Sequence, residues 1–409
     1  MVENQIKKPP VHWITEYAPA SAILHSKAFR EVTFKGLIPL LGHSIVTVEG
    51  AAHYQRRALE GRLFALSVLQ AHERDFVPEV IADTLQPVLA LGAGDLVEIS
   101  HAIASRIAAR VIGLDGLADP ARLHEASHLL SALVGGTSIN PGEAGEVLTR
   151  REARNRLRER FINGAIDRRR QLLKEYQAGR LEQAALPFDL ITLLLQHSNS
   201  ELKTNARNFG SGWEVRQIAA EVAFYAVAAE DTTATLLPRL MHEIWRYAAL
   251  YPHQIALLQN LDFLRNAAAE ALRLHPVVPT IFRQATQSVQ LAGYDFVADQ
   301  TAGIYLPAVN RDPTIFGPNA SDFLPLRELS AKIRRAGLSF GGGSHLCLGR
   351  ELALGSPQFG DAPTQLDGEA ALIAHALLQH HARTNPSQPI TEPSAYERNV
   401  FRRYSILLG

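Results

Sequence analysis

Cys347 is the single cysteine of 409 residues, set in the run Phe340-Gly341-Gly342-Gly343-Ser344-His345-Leu346-Cys347-Leu348-Gly349. One thiol forms no internal disulfide. It can serve as a buried inert residue, a redox-sensitive thiol, a nucleophile or one soft ligand to a metal. Glycines on both sides bracket the sulfur, and glycine is used where backbone turns sharply or comes close to another object. A second cluster is Val227-Ala228-Ala229-Glu230-Asp231-Thr232-Thr233. Adjacent threonines are unfavourable inside a helix, because β-branching costs side-chain freedom and a hydroxyl can turn back onto the carbonyl four residues earlier. Phe224, Ala228 and Thr232 are spaced by four and share one face, so a small residue separates an aromatic wall from a hydroxyl and can leave a pocket. Glu270 and Arg273, three apart, can pair on one helix, and His53 and Arg57 share a face one turn apart.

The elements that must position these residues are mainly helical. Apolar spacing predicts a short strand over residues 11–15, a small helix over 20–25, a loop over 36–50, and helices over 51–69 and 96–112. Asp119-Pro120 restarts a helix, and 149–178 reads as a long amphipathic helix with a charged, wet face. A short helix over 190–196 and a polar loop over 198–212 precede the longest helical pattern, 214–247, in which Pro238 should bend or end the helix. Helices over 252–259 and 262–274 follow. After His275-Pro276 the rhythm turns to strands over 280–286, 288–291, 294–297 and 303–306, with turns at Ala292-Gly293 and Asp299. The fold class is mainly α with a small β-sheet region, carried by one domain over 1–409.

Acidic and basic residues balance at 41 each, so nothing global points to nucleic acid or an anionic membrane. No apolar run reaches the length of a membrane span, and the first five residues do not open a signal peptide, so the expected location is cytoplasmic.

A flat macrocycle beside a lone thiolate suggests haem, and thiolate ligation favours cleavage of the oxygen-oxygen bond. Phe340, Gly343, His345, Cys347 and Gly349 match every fixed position of the cysteine-ligand loop of the cytochrome P450 superfamily, which the chain resembles from about His53 to Gly349. Ala228, Asp231, Thr232 and Thr233 are similar to its oxygen-binding helix, with Ala229 in place of the usual glycine. Glu270 and Arg273 resemble its Glu-any-any-Arg helix, and Asn310-Arg311-Asp312-Pro313 with Phe316 and Phe323 resembles the stretch before the cysteine loop.

The resemblance implies haem b as cofactor, Cys347 as its axial metal ligand, and Asp231 with Thr232 as the catalytic pair that relays protons. It implies that His53, Arg57, Arg283 and His345 bind the propionates, with Phe340, Gly343, Gly349 and Ala228 also lining the cofactor. Phe224, Val277, Val278, Thr280 and Ile281 would border a largely apolar substrate, while Glu270, Arg273 and Arg327 would be structural. Electrons would come from a ferredoxin and ferredoxin reductase or an equivalent separate donor, since no flavin or iron-sulfur motif is visible. The rival readings are a peroxide-dependent peroxygenase, which commonly lacks the acid and threonine pair, and a non-catalytic haem-binding helper or sensor.

Two departures from the family are expected. Residues 13–17 look like the second strand of the first sheet hairpin, so the N-terminal helix and first strand of the main sheet should be missing. Two glycines and two prolines over 355–363 should interrupt the helix that follows Cys347, with helix resuming over 369–378 near a donor-docking surface. Substrate choice is expected to lie in the 36–48 loop and in helices around Leu130.

Overall fold

The longest element is a central helix, Val215–Leu250, which opens with a capping box between Glu214 and Gln217. It does not end at Pro238, which is buried within it. The helix Leu96–Ile112 packs along it and is started by Asp95, whose side chain accepts the Val97 amide at 2.9 Å. The computed structural model describes residues 10–134, 144–199, 213–356, 365–388, 390 and 400–409.

Two apolar cores meet along the central helix. The first joins Ile218, Val222, Ala226 and Val227 to Leu129, Leu157, Ile166 and Leu194, residues of Pro120–Val134, of the long charged helical segment and of Leu190–Asn199. The second joins Leu236, Leu240 and Ile244 to Ile103, Phe263, Ala271 and Ile373. Between them, at positions 228, 229, 231, 232, 233 and 235, the helix is only partly buried although it lies in the interior. Of this stretch Ala229 packs against the first core, and the Asp-Thr-Thr motif lies between the two.

Nine strands occur among the described residues: β1 (His12–Ile14), β2 (Phe29–Glu31), β3 (Ala93–Asp95), β4 (Thr280–Ala285), β5 (Val289–Leu291), β6 (Tyr294–Phe296), β7 (Thr301–Tyr305), β8 (Arg383–Thr384) and β9 (Ser405–Leu407). They form a four-stranded sheet ordered β1-β7-β4-β2, a three-stranded sheet ordered β3-β9-β8, and the hairpin β5-β6. A third apolar core of Ile14, Ile23, Ile281, Ile304 and Phe316 lies on the first sheet.

Most expected elements appear, with instructive differences. The expected 149–178 helix is Ala144–Leu157 and Asn163–Gln177 joined through a π turn at Arg158–Ile162. The expected 36–50 loop contains the short helix Ile38–Leu41, whose Leu40 and Leu41 join the first core beside Leu130, so these segments are packed together. The helix Val77–Leu91 and the strands β3, β8 and β9 had no clear periodic signal, the strands being two or three residues long.

At the N-terminal end the strand stops at Ile14 and does not continue to Tyr17. Tyr17 instead opens the helix Tyr17–His25, with its amide donating to Asp312 Oδ2 at 2.9 Å. β1 is an edge strand parallel to β7. The expected absence of a preceding helix and strand falls on residues 1–9, outside the described residues. The 198–212 loop also lies outside them beyond Asn199, as do 357–363 of the expected interruption. The chain leaves the helix Arg350–Leu354 at Gly355 and re-enters helix at Glu369, with Ser356 and Leu366 bridged across the neck.

Candidate active site

The loop before Cys347 folds back on itself. The Cys347 amide donates to the Phe340 carbonyl at 3.0 Å, and Leu346 to Gly343 at 3.2 Å. Gly343 has φ 65°, and a Cβ there would overlap the carbonyl oxygen of Leu24, so only glycine lets this loop press against the helix Tyr17–His25. Cys347 is exposed as a residue, while desolvation raises the pKa of its thiol. An exposed free thiol in a loop of this kind is available as a metal ligand. The amides of Gly349 and Arg350 donate to the sulfur, and Arg350 and Arg57 lie close enough to oppose the upward shift. Such donors favour the thiolate and tune a bound metal.

Three expected propionate ligands converge beside this loop. The rings of His53 and His345 stack at 4.0 Å with a 26° interplanar angle, and Arg57 Nη2 donates to the Leu346 carbonyl at 2.5 Å. Burial, then the neighbouring His345 and Arg57, push His53 down to about 4. His345 Nε2 is buried with no hydrogen-bond partner, the carboxylate of Glu49 lying 3.8 Å away. Clustered basic groups with an orphaned donor position are suited to an anion. With the open sulfur beside them, these residues fit a planar, doubly anionic haem.

Arg283 is set apart from them. The register of β2 against β4 puts Glu31 opposite Arg283, and the two form a buried ion pair, with Arg283 Nη1 also donating to the Phe282 carbonyl at 3.0 Å. Its expected anion position is therefore occupied by a protein carboxylate. Glu31 in turn donates its amide to Glu49 Oε1 at 2.8 Å, which links this pair to the His345 side. A partner 252 positions away left no local sequence signal.

On the central helix, Phe224, Ala228 and Thr232 are partly exposed on one face while Tyr225, Ala226 and Val227 are buried. Thr232 Oγ1 donates to the Ala228 carbonyl at 2.8 Å, the back-bond anticipated for a threonine inside a helix. Ile281 approaches the cysteine loop: its Cδ1 would lie 3.7 Å from a Cβ at Gly341. Thr280 pairs across to Tyr305 in the sheet, Val277 joins the second core, and Val278 is half-buried.

The Glu270, Arg273 and Arg327 side chains form one buried cluster. Arg273 grips Glu270 with two bonds of 2.7 and 2.8 Å, and Arg327 Nε reaches Glu270 Oε1 at 3.1 Å. The remaining guanidinium donors are taken up by the carbonyls of Asn310, Ala320, Asp322, Phe316 and Asn319. This knot ties the segment before the cysteine loop to the helix Leu261–Leu274.

Sequence reasoning missed two buried carboxyl groups that reach the Asp-Thr-Thr motif. Glu230 Oε1 lies 2.5 Å from His101 Nδ1. Glu369 bonds Thr233, and burial followed by repulsion from Glu73 pushes its pKa up to about 8. Both are charged residues on helices, and their partners come from distant sequence.

The cytochrome P450 family model matches residues 146–355, just over half of the chain. A cyclooctat-9-en-7-ol 5-monooxygenase of Streptomyces melanosporofaciens is 26% identical over 337 residues, covering 77% of this chain and 70% of that protein. An indoleacetaldoxime dehydratase of Arabidopsis thaliana is 31% identical over 151 residues, so the alignment spans only 30% of that protein. Substrate-free CYP109E1 from Bacillus megaterium has the same fold, with a TM-score of 0.73 at 19% identity over 98% of this chain and 93% of that one. No helix among the described residues is long and apolar enough to cross a membrane. The chain belongs to the cytochrome P450 superfamily, the haem-dependent monooxygenases.

Proposed function

We propose that this chain binds haem b and inserts one oxygen atom from dioxygen into a largely apolar small molecule. It would act as a single cytoplasmic catalytic domain, with electrons from a ferredoxin and its reductase or an equivalent separate donor. The observation that carries this reading is the exposed Cys347 thiol, met by the Gly349 and Arg350 amides, in a chain whose central helix keeps Asp231 and Thr232 partly exposed between two cores. When bound, the haem supplies the iron at which dioxygen is reduced and from which oxygen is transferred.

The chain's own residues then have separable tasks. Cys347 would be held as thiolate by the Gly349 and Arg350 amides, and His53, Arg57 and His345 would receive the propionates. Asp231 would hold a proton and pass it to Thr232 Oγ1, whose back-bond to Ala228 fixes the orientation of the hydroxyl. Phe224, Val277, Val278 and Ile281 would exclude water and present an apolar wall, with Thr280 at its edge. The Streptomyces melanosporofaciens relative is named for cyclooctat-9-en-7-ol, and an alcohol of that kind is a reasonable first probe.

The test is the absorbance spectrum of the reduced, carbon monoxide-bound protein, alone and as Cys347→Ala. A thiolate-type band that disappears in the variant is expected, and a histidine-type band in the wild type would overturn the ligand assignment. Turnover with dioxygen and reduced donor should exceed turnover with peroxide; equal rates would favour a peroxygenase.

A further inference from the structure

Glu230 is almost fully buried, at 1% exposure, and faces away from Asp231 by about 100° around the helix. It has a single described partner, His101 of the neighbouring helix Leu96–Ile112, whose Nδ1 lies 2.5 Å from Glu230 Oε1. The other carboxyl oxygen, Oε2, is buried with no hydrogen-bond partner. The His101 side chain is 29% exposed and so reaches solvent. A buried carboxyl group with one satisfied and one orphaned oxygen costs stability, and an apolar residue at position 230 would avoid that cost.

We propose that His101 and Glu230 form a proton-loading couple that feeds Asp231 from the outer side of the central helix. This rests on the reading of Asp231 and Thr232 as the proton-handling pair. Neutral His101 carrying its proton on Nδ1 takes a proton from solvent at Nε2 and releases the Nδ1 proton to the Glu230 carboxylate at Oε1; the resulting Nε2–H tautomer returns to the Nδ1–H form by exchanging its protons with solvent. Rotation of the Glu230 carboxyl group carries the proton to the unpartnered Oε2 position, from which it passes through one water to the Asp231 carboxylate, and Asp231 passes it to Thr232. One proton moves inward at each step and no electrons change hands.

The electrostatics agree with this geometry. Burial pulls His101 down, but its hydrogen bond with Glu230 and the charges of Glu230 and Asp231 carry it upward overall. Burial raises Glu230, against the pull of His101, while the Asp231 charge raises it further. A carboxyl group shifted up and hydrogen-bonded to an imidazole can hold the proton that passes between them. The charged groups that act on the couple are these three, Asp231 on the same helix and His101 from the facing one.

The test uses the haem-loaded protein and three variants, Glu230→Gln, His101→Gln and Asp231→Asn. In the wild type, the His101 imidazole followed by NMR should titrate above its ordinary value, and Glu230→Gln should lower that value. Infrared difference spectra should show a protonated carboxyl band that Glu230→Gln removes. With a substrate, Glu230→Gln and His101→Gln should each lower product formed per electron pair about tenfold and enlarge the solvent isotope effect. Asp231→Asn should do at least as much. An unshifted His101 titration, or wild-type coupling and isotope effect in both Glu230→Gln and His101→Gln, would overturn the couple. If Asp231→Asn were also silent, the proton role of Asp231 itself would fall.

Discussion

Glu270 and Glu230 are both buried glutamates on long helices of this chain, and they are supported in opposite ways. Glu270 is held by two arginines that never lose their charge, and the arginine donors not used on it end on backbone carbonyls. Glu230 has one described partner, a partly exposed histidine that titrates, and one oxygen without a partner. A closed network of this kind fixes a geometry and leaves no proton free to move, whereas an open one costs stability but can change its protonation state. The closed one lies in the segment leading to the cysteine loop, and the open one adjoins the Asp-Thr-Thr motif. Glu60 and Glu221 fall between them: Glu221 takes Arg56 at 2.7 Å and the Ile45 amide at 2.8 Å, while Glu60 takes the Tyr225 hydroxyl at 2.8 Å and leaves Oε1 unpartnered.

The largest effect should come from opening the closed network. Glu270→Gln leaves two buried guanidinium charges without their carboxylate and should cost about 3–5 kcal/mol of unfolding free energy. Urea titration of the haem-loaded variant would measure this. A loss below 1 kcal/mol would show that the arginines are satisfied by backbone carbonyls alone.

The next effect concerns Glu369, which is raised to about 8. A carboxyl group with a higher pKa folded than unfolded binds more protons in the folded state. Its stabilising contribution is present below about pH 4.5 and is lost as pH rises through 8. The wild type should lose up to about 1.4 kcal/mol per pH unit over the upper part of that window, and Glu369→Gln should flatten the loss. His53 works in the opposite direction. Lowered to about 4 by burial, it favours the unfolded state as pH falls from 6.5 toward 4. His53→Phe should remove part of that acid destabilisation, a smaller change because His72, also held at about 4, remains. Unfolding curves collected from pH 4 to 9 would separate the two slopes.

The closed network was more legible in the sequence than the open one, for a physical reason. Glu270 and Arg273 are one helical turn apart, and a third member was expected in the Asp322 to Arg327 stretch. The cysteine loop likewise declares itself through glycines whose conformation only that residue tolerates. His101 and Glu230 are separated by 129 positions and meet only because two helices pack side by side. Arg283 and Glu31 meet through strand register, so an arginine read as a free cation proves to be half of a pair. Pro238 should bend or end its helix, and it does not end it: residues on either side are buried and the helix runs through. Spacing along one element is written in the sequence, whereas a contact between elements depends on packing that no short motif encodes.

The smallest stability effect is also the sharpest test of the contrast. At pH 7, Glu230→Gln keeps the shape of the side chain and can keep a hydrogen bond to His101, with its amide as donor or acceptor to match the neutral ring. If the wild-type couple shares one proton and does not stand as a locked ion pair, the exchange should change unfolding free energy by less than about 1 kcal/mol. The same chemical change at Glu270 should cost several times more. The two substitutions differ only in what surrounds the carboxyl group, so their ratio measures how far each network is closed. A loss at Glu230 as large as that at Glu270 would mean that His101 and Glu230 form a structural ion pair, and the buried Oε2 would then have a partner in solution that turns the open network into a closed one.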